Sequence, residues 1–106
     1  MYFVYIIRCR SGRLYTGITT DTLRRFREHL GSRKGAKFTR ADPPEEVEAV
    51  WSCENRSLAS SLEYRLKRLK RSKKLEIIGD DRVFEEVFPE SAESYTRASL
   101  PELMVK

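Results

Sequence analysis

Residues 14–30 read LYTGITTDTLRRFREHL, and the fold follows from how this stretch divides. Leu14–Ile18 has the aromatic and β-branched content of a strand. Thr19, Thr20 and Asp21 then supply side-chain oxygens able to cap a helix, with Asp21 the best N-cap candidate. Leu23, Phe26 and Leu30 fall at i, i+3 and i+7, an apolar stripe that predicts a helix lying on a sheet, and Gly31 is a natural stop. Arg25 and His29 are four apart on one flank of that stripe, while Arg24 and Glu28 are expected to point away.

Upstream, YFVYIIRC (2–9) is a dense strand signal of the kind covered on both faces, and RSGR (10–13) reads as the hairpin turn joining it to the next strand. Downstream, residues 31–44 form a basic, glycine-containing loop closed by two prolines, and EEVEAVWSC (45–53) alternates as a third strand. Residues 54–78 are the longest helical signal, capped by Asn55 or Ser57, with Leu58, Leu62, Leu66 and Leu69 as its stripe and Ala59 beside them. The expected fold is a small α/β domain of the α+β kind over residues 1–78, a three-stranded antiparallel sheet flanked by helices. Residues 79–106 follow as an acidic C-terminal extension with Pro89 and Pro101.

The length of 106 residues allows one domain with a modest core, and 40% hydrophobic with 35% charged content fits a folded protein. No apolar run reaches the length of a membrane span, and MYFVYIIRCR lacks the basic-then-apolar order of a signal peptide. A cytoplasmic location with no membrane partner is therefore expected; the oligomeric state has no signal. Cys9 and Cys53 sit in apolar stretches without CxxC spacing, as buried free thiols rather than zinc ligands. Charge is unevenly placed: residues 1–78 carry 18 basic against 9 acidic residues, a net of +9, and residues 79–106 carry 3 against 7, a net of −4. The basic portion favours a polyanionic partner.

A phosphodiester-cleaving site needs a cation for the phosphate, a ligand for a divalent metal and a group that orients or deprotonates water. Arg25 suits the first need, Glu63 the second, and Tyr5, Tyr15 or His29 the third. Each also has an ordinary structural reading. Arg25 fits an ion pair, His29 a favourable helix-end charge, Tyr5 and Tyr15 strand packing, Gly17 a bulge, and Glu63 an i,i+4 pair with Lys67. No Ser-His-Asp set, paired-carboxylate motif or GxxxxGK[ST] loop is present.

Taken together, these motifs resemble the GIY-YIG nuclease superfamily, most closely its small stand-alone bacterial members, the YhbQ-like group. The first signature element stands here as Phe3-Val4-Tyr5 and the second as Tyr15-Thr16-Gly17; YTGITTDTLRRFREH, GAKFTR (35–40) and NRSLASSLEYRLKRLKR (55–71) are similar to that group's later motifs. Phe3 replaces the leading glycine, and Ile18 stands where some repair nucleases of the superfamily carry a lysine. The resemblance covers residues 2–78 and implies a metal-dependent endonuclease hydrolysing DNA, with branched, nicked or single-stranded sites in repair or recombination as candidate substrates. It implies Tyr15 as the residue that positions or helps deprotonate water, with Tyr5 beside it, and Arg25 as the phosphate ligand. His29 is implied as a phosphate contact or proton relay. Glu63 is implied as the ligand of one Mg²⁺ or Mn²⁺, and Gly17 as the point where backbone approaches substrate. Lys34, Lys37 and Arg40 in the loop, with Lys67, Lys70 and Arg71 at the basic end of the helix, are the expected backbone contacts.

Two other readings use the same residues. One is a nucleic-acid binding module, for DNA or RNA, with little or no cleavage. The other is a protein-interaction module in which the acidic extension folds back on the basic face; a plain terminal extension is the simpler view of that segment.

Overall fold

The computed structural model describes residues 1–31 and 42–99, with side chains from His29 to Gly31 left aside. Strand β1 (Tyr2–Cys9) pairs antiparallel with β2 (Leu14–Thr19) through a turn in which Gly12 takes φ +93°, a conformation side chains resist. Helix α1 (Thr22–Gly31) follows, started by Asp21, whose Oδ1 accepts from Arg24 N at 3.1 Å. Strand β3 (Pro44–Cys53) lies antiparallel to β1 on its other side.

The long helical signal divides in two. Helix α2 (Arg56–Arg68) is capped by Asn55, whose side chain accepts from Leu58 N, and helix α3 is Arg71–Gly79. Leu69 and Lys70 between them are extended. No glycine or proline marks this break. It is tertiary in origin, carrying Arg71 to the hairpin turn, where Nη2 donates to Gly12 O at 2.7 Å, and Ile77 into the core.

The expected three-stranded sheet has four strands, in the order β2-β1-β3-β4. The fourth is β4 (Thr96–Arg97), which pairs antiparallel with Trp51 and Ser52 after helix α4 (Asp81–Val87) and a short 3₁₀ turn, Ala92–Ser94. Two residues carry no alternation, so this strand has no sequence signature; it exists because β3 offers an open edge.

Residues Val4–Ile7 are fully buried, and the pleat divides them between two faces. Val4 and Ile6, with Ala49, Trp51 and Cys53, pack under Ala59, Leu62 and Leu66 of α2, Ile77 of α3 and Phe84 of α4. Phe88 and Tyr95 complete this cluster, so the extension after residue 78 contributes to the same core. The opposite face carries Tyr5, Ile7, Val47 and Val50 under Phe26 of α1. Only part of the α1 stripe is used among the described side chains: Phe26 is buried, whereas Leu23 is 40% exposed.

Candidate active site

The α1 face of the sheet gathers the chemistry. Strand register sets Tyr5 opposite Gly17 and Ile7 opposite Tyr15, so both tyrosines share one face, diagonally placed. Their ring centroids are 6.4 Å apart. Tyr5 lies flat across its partner strand: a Cβ at Gly17 would sit 2.6 Å from Tyr5 Cζ and closer still to the hydroxyl oxygen. Gly17 is thus a space requirement rather than a turn or bulge.

Phe26 meets the Tyr5 ring edge-on at 5.3 Å, which seats α1 and brings the preceding residue over the phenol. Arg25 Nε donates to Tyr5 Oη at 3.2 Å. Burial raises the Tyr5 pKa above its ordinary value of 10.0, with the nearby Glu63 charge adding to that and Arg25 opposing it. Tyr5 is therefore a neutral phenol at physiological pH, a holder of Arg25 rather than a ready base. The bond to Tyr5 in turn raises the Arg25 pKa, so the guanidinium keeps its charge. Glu28, expected to point away, comes back to Arg25 Nη1 at 3.6 Å; both groups are solvated, so the pair is weak.

Glu63 stands on the flank of α2 with its side chain 25% exposed, and its Oε2 lies 3.3 Å from Lys67 Nζ. Helix α2 packs on the opposite face of the sheet from α1, and the Glu63 charge is the least of the influences that raise the Tyr5 pKa. Among the described residues, no three His, Cys, Asp or Glu side chains gather as a metal-binding group. A lone carboxylate such as Glu63 does not make a closed structural site; its oxygen chemistry is the kind that suits a hard divalent cation keeping most of its waters.

His29 lies one turn after Arg25 on α1, but its side chain is outside the described residues, as are Lys34, Lys37 and Arg40 in full. Lys67 is engaged with Glu63 and Arg71 with Gly12 O, while exposed Lys70 begins α3, its carbonyl accepting from Lys73 and Lys74 N. Lys74, part of the same basic run, is partly buried; desolvation first and the Lys67 charge second hold its pKa below the ordinary value.

A model of the GIY-YIG catalytic domain matches residues 1–76, the span that carries every site residue above. The chain belongs to the GIY-YIG family. Within it, the chain is 44% identical over 77 residues to a UPF0213 protein of Fusobacterium nucleatum subsp. nucleatum, covering 73% of this chain and 76% of that protein. A UPF0213 protein of Desulfotalea psychrophila is also 44% identical over 77 residues, covering 73% and 70% respectively. The solution NMR structure of a UPF0213 protein from Bacillus halodurans is 41% identical, covers 74% of this chain and 84% of that one, and superposes with a TM-score of 0.49. Among the described residues of this GIY-YIG chain, no helix is long and apolar enough to cross a membrane.

Proposed function

We propose that the chain is a divalent-metal-dependent endonuclease that hydrolyses DNA phosphodiester bonds, with structure-selective cutting in repair or recombination as its setting. The observation that carries this reading is the Arg25–Tyr5 hydrogen bond laid over Gly17 inside a GIY-YIG catalytic domain. It supports a guanidinium held in fixed orientation by Tyr5, whose ring occupies the space that a side chain at Gly17 would fill.

In this mechanism Arg25 binds the scissile phosphate and offsets charge growing on its oxygens in the transition state. Tyr5 stays protonated and fixes the guanidinium plane. Tyr15, on the same face, orients the attacking water at its hydroxyl, and His29 contacts phosphate or relays a proton. Glu63 would hold a Mg²⁺ or Mn²⁺, and such an ion would supply Lewis-acid polarisation of the phosphate. Lys34, Lys37, Arg40, Lys67, Lys70 and Arg71 track the nucleic-acid backbone through salt-sensitive contacts.

The test is cleavage of labelled duplex, nicked, flap, branched and single-stranded DNA, with RNA controls, in Mg²⁺ and in Mn²⁺. Arg25→Ala is expected to lower the rate on the order of 10²- to 10³-fold, as loss of one fixed transition-state donor does. Glu63→Gln should abolish metal-dependent cutting. Undiminished cleavage by either variant overturns the assignment of that residue.

One observation favours a second reading, binding without cleavage: Glu63 already has a partner in Lys67. A pure binder would hold DNA equally well or slightly better as Glu63→Gln, and would cut none of the substrates in either metal.

A further inference from the structure

Helix α2 turns a second chemical feature outward beside Glu63. Its core-facing side is Ala59, Leu62 and Leu66, all buried. Tyr64 follows Glu63 by one residue, points nearly opposite that stripe and is 62% exposed. An aromatic ring that exposed makes no contribution to the core, and α2 has room there for any polar residue. The ring is also held. Arg68, one turn on, places its guanidinium carbon 5.4 Å from the ring centroid and donates from Nη1 to Tyr64 Oη at 3.1 Å. Lys67 and Arg68 flank it on the crest of the helix, and among the described residues neither has an acidic partner at the Tyr64 side: the Lys67 pair is with Glu63 on the other flank.

An oriented π-face between cations is the arrangement that stacks a nucleobase whose phosphates the cations hold. Bases within a duplex are stacked on each other and present no open face to a helix crest, so the occupant is an unpaired base. We infer that Tyr64, braced by Arg68, is a stacking platform for an unpaired base of a strand that crosses α2, the helix that carries Glu63, and that it biases the protein toward single-stranded or branched nucleic acid. This rests on the nuclease reading of the site and adds the form of its substrate.

Binding of fluorescent single-stranded, flapped and fully paired DNA by the full chain tests it, in Glu63→Gln background so that no strand is cut. Tyr64→Leu keeps an apolar exposed residue and removes the π-face; Tyr64→Phe keeps the face and removes the hydroxyl. The expected result is a loss of single-strand affinity on the order of 5- to 100-fold for Tyr64→Leu, little loss for Tyr64→Phe, and unchanged binding of paired DNA. Equal weakening on all three forms, or none, in a protein that still binds DNA, overturns the platform and leaves the nuclease reading standing. Failure of the parent protein to bind any of the three overturns both.

Discussion

At Gly17 the first hairpin gives up a side chain so that Tyr5 can lie across it. Gly17→Ala would press a methyl group into the phenol of Tyr5, which is fully buried and packed edge-on by Phe26. A loss of about 1–3 kcal/mol in urea unfolding is expected, together with lower cleavage, because Arg25 follows Tyr5. Tyr5→Phe separates the two effects. It keeps the ring and removes only the acceptor for Arg25 Nε, so stability falls by about 0.5–1.5 kcal/mol while the cleavage rate falls more steeply than substrate affinity. The pH dependence has a definite sign. The folded-state pKa of Tyr5 is raised, so its contribution to stability is full below about pH 10, where unfolded tyrosine titrates, and is lost as pH rises toward the folded value. Tyr95, Cys9 and Cys53 are shifted the same way by burial, so it is the difference between wild type and Tyr5→Phe that reports on Tyr5: the alkaline decline should be shallower in the variant.

Among the elements, the three long strands and the caps of α1 and α2 are legible in the sequence because each rests on local chemistry. Examples are the apolar run of β1, Asp21 accepting from Arg24 N, and Asn55 accepting from Leu58 N. Asn55→Ala should lower stability by about 1 kcal/mol in the same unfolding measurement. What the sequence withholds is set by distant partners. The break at Leu69–Lys70 depends on where Arg71 and Ile77 must go, and β4 depends on the free edge of β3. The candidate site divides similarly. Register brings Tyr5, Gly17 and Tyr15 together because the short turn over residues 10–13 fixes how β1 and β2 pair, whereas the face of α2 that Glu63 occupies follows from the leucine stripe beside it. The Tyr5–Arg25 bond itself has no sequence signal, since either residue has ordinary uses.

For the whole molecule, charge and core are not separable by cutting the chain. The acidic residues after position 79 sit on a segment whose Phe84, Phe88 and Tyr95 fill the cluster under Trp51, with Phe84 stacked on Trp51 at 5.3 Å. Phe84→Ala is expected to lose about 3–5 kcal/mol, a large part of the roughly 5–15 kcal/mol that stabilises a domain, and removal of residues 80–106 should do at least as much damage. A role for the acidic segment in restraining nucleic-acid binding is therefore better probed by Glu85→Gln with Glu86→Gln, which alters charge on exposed positions and leaves the aromatic cluster intact.

Arg97 brings these levels together. Its Nη2 donates to the carbonyls of Ile77 and Ile78 at 2.9 and 3.0 Å and reaches Asp81 Oδ1 at 3.0 Å, while its guanidinium lies 5.1 Å from the Trp51 ring centroid. The end of α3, the start of α4 and the last strand thus share one fastener. With Arg97→Met, the amide of Ala98, bonded to Val50 O, should exchange its hydrogen with solvent orders of magnitude sooner, while the amides of Val4–Ile7 keep the protection of the intact sheet.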